Sequence, residues 1–173
     1  MRGLTEPVLP DILKPGLRIV FCGSAAGAAS ARVGAYYAGP GNKFWPMLHK
    51  TGLTPHLMEP RDFKQLPDFG IGLTDLAKHA SGSDASLPRS ADDPAALHDR
   101  IERSKPGILA FNGKRSGQVF LKHHIAARSV AYGLQQSTIG STAIFVLPST
   151  SGAANGFWDD DPWYALAHHA KTV

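Results

Sequence analysis

Short apolar blocks recur along the chain, each closed by a run of small or polar residues, and between them apolar positions return every three or four residues. Leu17-Arg18-Ile19-Val20-Phe21-Cys22 is short, β-branched and set between Gly16 and Gly23, which predicts a buried strand. Ile108-Leu109-Ala110-Phe111 and Thr142-Ala143-Ile144-Phe145-Val146-Leu147 repeat the pattern, and Phe69 to Leu76 predicts a weaker strand. Helical spacing marks Asn42 to Gly52, where Phe44, Met47 and Leu48 share a face and Pro46 fits only in the first turn. Further helices are predicted at Pro60 to Leu66, from Asp92-Asp93-Pro94 through Arg103, at Ser116 to His124, and after Asp159-Asp160-Asp161-Pro162. In the second of these, acidic residues stand at the positive end of the dipole and Arg100, Arg103 and Lys105 at the negative end. Strands alternating with helices predict an α/β fold with a mostly parallel sheet under helices. No repeat or linker interrupts residues 1–173, which read as a single domain. Ligands of such sheets bind outside the carboxyl ends of the strands. The small-residue loops 23–30, 74–79 and 148–155 share that edge and form one candidate site, while 79–91 (HASGSDASLPRSA) predicts a mobile surface loop.

Composition narrows the classes. At 173 residues the chain can bury a full core. No apolar run approaches the ~18 to 20 residues needed to cross a bilayer. The opening MRGLTEPVLP lacks the apolar core of a leader, so a cytoplasmic protein is expected. Eighteen Lys and Arg against 14 Asp and Glu leave a formal charge of +4, which permits an anionic partner without requiring one. A single cysteine, Cys22, excludes an internal disulfide and any multi-cysteine metal site. The pairs His123-His124 and His168-His169 are adjacent, so on a helix they point apart and predict no metal site. Gly23-Ser24-Ala25-Ala26-Gly27 fits neither the dinucleotide fingerprint nor a P-loop, and with Cys22 two before Ser24 it is no nucleophile elbow.

What remains is more specific. Asp11 to Trp45 (DILKPGLRIVFCG, then AGPGNKFW), Phe69 to Asp75 (FGIGLTD), Ala110 to Lys114 (AFNGK) and Ile144 to Gly152 (IFVLPSTSG) occur in that order without a large insertion. Together they resemble the mismatch-specific uracil and thymine DNA glycosylases of the uracil-DNA glycosylase superfamily. The resemblance implies a three-layer α/β/α sandwich with a short, mostly parallel central sheet. It also implies a monofunctional enzyme of base excision repair, which hydrolyses the N-glycosidic bond of uracil, and of other deaminated bases, to leave an abasic site. Its partner would be DNA carrying such bases, bound by a monomer in the cytoplasm and, through DNA, at the nucleoid. Water and positioned side chains suffice for that reaction, so no metal or organic cofactor is expected. No lysine falls on a family catalytic position, so no Schiff base is expected either.

Carried over residue by residue, the resemblance breaks at one point. Where the relatives' first motif holds an Asn that positions water, this chain has Ala25, whose methyl group can do no such work. Asp75, at the end of its strand, is the candidate for the relocated catalytic group, with capping of the turn Leu76-Ala77-Lys78 as the alternative. Asn42 is the second catalytic candidate, with helix capping as its alternative. Tyr37 falls where relatives stack a ring on the extruded base, with core packing beside Phe44 and Trp45 as the alternative, and Ser24, Ala25, Ala26 and Ser149 would face that base. Ser151, Gly152, Ala153 and Asn155 match the second motif, which holds phosphate and wedges the stack, and Lys43 would add a backbone contact. Ala153 is small for a wedge; Phe157 or Trp158 would fill the gap, with core packing as the stronger alternative for both. Lys114, Arg115 and Lys122 are further phosphate candidates with solvated faces as the default. Two other readings stay open: a noncatalytic protein that binds uracil or abasic DNA, favoured by Ala25, and a small-molecule hydrolase using Ser24, Asp75 and His79.

Overall fold

The computed structural model describes residues 6–173; Met1–Thr5, the start of the segment read for a leader, and the side chain of Phe157 lie outside the described residues. Five strands form one sheet in the order β2-β1-β3-β5-β4: β1 (Ile19–Gly23), β2 (Ile71–Asp75), β3 (Ile108–Asn112), β4 (Gly133–Ile139) and β5 (Thr142–Leu147). The pairs β1–β2, β1–β3 and β3–β5 are parallel, and β4 joins β5 antiparallel. Alternation along each strand sorts side chains onto two faces. Ile19, Phe21, Ile71, Leu73, Ile108, Ala110, Phe145 and Leu147 pack on one side against α2 (Phe44–Lys50), α5 (Asp161–Ala170) and the 3₁₀ segment Pro60–Phe69. Val20, Cys22, Leu109, Phe111, Ile144 and Val146 pack on the other against α3 (Pro94–Ser104) and α4 (Lys114–Ile125). The result is the expected three-layer α/β/α sandwich around a mostly parallel sheet.

Buried on both faces, the parallel strands read as continuous apolar runs, which is why the sequence shows them. Local signals also hold at the helices. Asp93 accepts the Ala96 N–H (3.0 Å) at the start of α3, Pro46 and Pro162 sit in the first turns of α2 and α5, and α4 begins two residues before the predicted Ser116. Two elements depart from the sequence reading. Residues 28–33 of the small-residue segment form the helix α1 (Ala28–Val33) between Gly27 and Gly34; Ala favours helix, yet side chains this small carry no apolar period. β4 escaped notice because its sequence, GLQQSTI, offers no apolar face to an edge position, and Leu134 is exposed. At Gly72 a Cβ would lie 2.5 Å from the Ile12 carbonyl oxygen and 2.6 Å from Leu17 Cδ1, so the N-terminal segment can cross β2 only over a glycine.

Candidate active site

β1 and β2 end side by side, with Gly23 in register with Asp75. The parallel strands therefore deliver a carboxylate to the carboxyl edge of the sheet, where only 3% of Asp75 stays exposed. Burial pushes its pKa up to about 7, against the pull of Lys78, with Asp11 raising it further and Arg100 and a hydrogen bond from the Gly23 backbone lowering it. The two cations are largely committed elsewhere. Lys78 Nζ stands 2.8 Å from Asp11 Oδ1 and donates to Tyr36 Oη (3.1 Å). Arg100 Nη2 donates to the backbone carbonyl of Asp75 (2.9 Å), and Nε lies 3.6 Å from Asp11 Oδ2. Thr74 Oγ1 adds a hydrogen bond to Asp11 Oδ1 (2.7 Å). Asp11, Lys78 and Arg100 come from three distant segments, so their convergence under Asp75 was invisible in the sequence; Asp11 entered only as the first residue of a motif.

Above this floor opens a cavity of about 620 Å³. Ser24, Ala25 and Ala26 form its first wall, tied to the floor by Leu76 N–H to Gly23 O (2.9 Å) and Ala77 N–H to Ser24 O (2.8 Å). Ala25 brings no polar side-chain atom to the cavity; Asp75 is the buried carboxylate in its lining, and the exposed Asp84 is a second acidic lining residue. Tyr37 lines the opposite side in a left-handed backbone conformation (φ 54°) that a bulky residue rarely adopts. Its ring lies against Phe44 (centroids 4.1 Å apart, 32° between planes), which in turn meets Phe21 edge-on. Its hydroxyl is buried with no hydrogen-bond partner among the described residues. Burial and the Asp75 charge, then Cys22, hold the phenol pKa well above its ordinary value; the Asn112 amide, short of hydrogen-bond geometry, lowers it somewhat.

The third wall hangs on Asn112, at the end of β3. Its Oδ1 accepts the Thr150 N–H (3.0 Å) and its Nδ2 donates to Thr150 Oγ1 (2.9 Å), which latches the loop after β5. Sequence reading took Asn112 for part of a tight exit; its position, polar at the carboxyl end of a buried strand like Asp75, was the available signal. Ser149 Oγ accepts the Ser151 N–H (3.2 Å) and Ser151 Oγ accepts the Ala153 N–H (3.3 Å), so both hydroxyl protons remain available to an outside acceptor. Gly152 touches the loop before α2, where a Cβ would stand 3.0 Å from Pro40 O, and Ala153 is exposed at the rim. Asn42 lines the cavity, while its Oδ1 accepts the Phe44 N–H (3.0 Å) and caps the first turn of α2. Lys43 and Asn155 stand together outside, Nζ donating to Asn155 Oδ1 and lying 5.3 Å from the Trp158 ring centroid.

The structure thus gathers Asp75, Asn42, Ser24, Ala25, Ala26, Tyr37, Ser149, Ser151, Gly152 and Ala153 at one cavity. The lining does not include Lys43, Asn155 or His79. Lys114 sits over the Tyr132 ring (4.6 Å), Arg115 pairs with Asp92 (3.0 Å), and Lys122 is exposed. Among the described residues, His98, Asp99 and Glu102 on α3 have metal-ligand spacing, outside the cavity lining. No helix in the described residues is long and apolar enough to cross a membrane.

The fold is similar to the solution NMR structure of a candidate uracil DNA glycosylase from Methanosarcina acetivorans, with a TM-score of 0.64 and 24% identity over 94% of this chain and 96% of that one. The sequence model of the Uracil DNA glycosylase superfamily matches residues 10–167, from the segment before β1 into α5. A match that spans the sheet, Asp75 and both cavity loops leaves no second reading of the lineage, and the chain belongs to the uracil DNA glycosylase superfamily.

Proposed function

We propose that this protein is a monofunctional DNA glycosylase that hydrolyses the N-glycosidic bond of uracil in DNA, accepts other deaminated bases, and leaves an abasic site. The observation that carries the reading is Asp75, a buried carboxylate at the floor of a cavity large enough to admit an extruded nucleotide, whose first wall is otherwise neutral. A base inside a duplex is out of reach, so it must be extruded into such a pocket and held there by stacking and hydrogen bonds. The ring of Tyr37 supplies a stacking face, and backbone groups of Ser24 to Ala26 meet the base edge where alanine side chains cannot. Departure of the base leaves positive charge on the sugar, and a carboxylate in a poorly solvated site stabilises that charge more strongly than it would in water. Ionised Asp75 also accepts a proton from the attacking water. Asn42 offers the water its amide donor, since its carbonyl oxygen caps α2. Ser149 faces the base, Ser151 donates to a phosphate oxygen, and Lys43 adds charge outside the cavity.

The test is release of base from end-labelled duplexes carrying uracil, hypoxanthine or thymine opposite guanine, read after alkali. Wild type should release uracil, and Asp75→Ala should lose about 10²-fold or more of the rate while retaining DNA. Tight retention of uracil or abasic DNA without release of any base would instead make this a lesion-binding protein in which Ala25 marks lost chemistry.

A further inference from the structure

The reading above makes Asp75 ionise during the reaction, and an ionised carboxylate in a buried site needs hydrogen-bond donors. The groups that face it are Cys22 on β1, Tyr36 and Tyr37 before α2, Lys78 after β2, Arg100 on α3 and Asp11 from the N-terminal segment. Most are committed. Lys78 is held by Asp11 and Tyr36, Tyr36 Oη donates to the Pro10 carbonyl (2.9 Å), and Arg100 serves the Asp75 main chain with Nε turned toward Asp11. Cys22 contributes a weak thiol donor directed at the Gly23 carbonyl (3.4 Å). Two donors near Asp75 are buried without a hydrogen-bond partner among the described residues: Arg100 Nε, 3.6 Å from Asp11 Oδ2, and Tyr37 Oη.

Geometry places the Tyr37 hydroxyl beside the carboxylate. A Cβ placed on Gly23 would stand 2.9 Å from Asp75 Oδ1 and 3.3 Å from Tyr37 Oη, so the two oxygens flank one notch that exists because residue 23 has no side chain. The left-handed backbone at Tyr37 turns the side chain inward at a cost, and strain of that kind persists where the surroundings over-determine it. We propose that Tyr37 is a positioning residue whose hydroxyl, unpartnered in this structure, turns across the Gly23 notch to donate to the Asp75 carboxylate once that group ionises, and so fixes its aim into the cavity. The inference rests on the glycosylase reading for its purpose, but not for its test.

The test compares wild type with Tyr37→Phe, which removes one oxygen and keeps the ring on Phe44. The Asp75 γ-carboxyl ¹³C resonance is titrated in both. Loss of a donor to the charged form should move the midpoint up by about one pH unit, since a hydrogen bond to a charged group is worth at least that much. In uracil release, the acid limb of kcat should move up by the same amount. A Tyr37→Phe midpoint equal to or below that of wild type overturns the inference. Absence of release by wild type overturns the glycosylase reading instead, and the titration still decides whether Tyr37 serves Asp75.

Discussion

Replacing Asp75 with Asn should stabilise the protein at alkaline pH while abolishing its chemistry. Asn keeps the shape of the side chain and an acceptor for the Gly23 backbone, and removes only the ionisation. In the folded chain the carboxyl pKa is about 7, against 3.8 in its ordinary state. Between those values the folded protein holds a proton that the unfolded chain has released, so stability falls as pH rises, and the loss is complete above pH 7. Converted at 1.36 kcal/mol per unit, the full penalty is roughly 4 kcal/mol, of which roughly 2 to 3 kcal/mol is incurred between pH 5 and pH 8. That is a large part of the 5 to 15 kcal/mol that holds a typical domain together.

Urea unfolding of wild type and Asp75→Asn at pH 5 and pH 8 reads this directly, because pH effects from all other groups cancel in the difference between the two proteins. The variant should gain on wild type by roughly 2 to 3 kcal/mol from the lower to the higher pH, with equal m-values. A difference that stays constant with pH, or shrinks as pH rises, would show that Asp75 is solvated or paired in the folded state, and the argument for a high-energy carboxylate would fail. Stability held in reserve at an active site is the familiar trade between fold and function.

The same ionisation sets the rate. Uracil release should climb through about pH 7 and level off above it in single-turnover assays. Asn42→Ala removes the cap on the Phe44 N–H and should cost about 1 kcal/mol in urea unfolding. Lys43→Met should weaken DNA binding uniformly across sequences and lower the slope of log K against log salt by about one, measured by fluorescence anisotropy. Gly72→Ala forces a methyl group into the Ile12 carbonyl and should cost roughly 1 to 3 kcal/mol or more, seen as a lowered Tm.

Much of this arrangement was legible because the informative residues lie where simple rules hold. β1, β3 and β5 declared themselves as apolar runs, and their carboxyl ends located the cavity loops before any contact was known. Asp75 was legible for the same reason, as a polar residue ending a buried strand. Asn112 obeyed that rule too and was passed over, since Asn-Gly reads first as a turn. What stayed hidden was whatever depends on convergence. Nothing local to Asp11, Lys78 or Arg100 says that the first two pair and that both cations face Asp75. The ring of Tyr37 could be placed by the resemblance to relatives, whereas its left-handed backbone and unpartnered hydroxyl could not.

The departure at Ala25 and the behaviour of Asp75 are then two sides of one arrangement. Alanines at 25 and 26 provide no side-chain donor to the cavity, and burial is the main cause of the high proton affinity of Asp75. A polar residue at 25 would bring a second group able to hold water and would share the duty of Asp75. Without it, the duty falls on Asp75, the buried carboxylate of the cavity, whose other acidic lining residue, Asp84, is exposed. Ala25→Asn should therefore partly rescue Asp75→Asn and have a smaller effect in the wild-type background. If Ala25→Asn changes both backgrounds by the same factor, the two positions act independently and the catalytic duty was not relocated from one to the other.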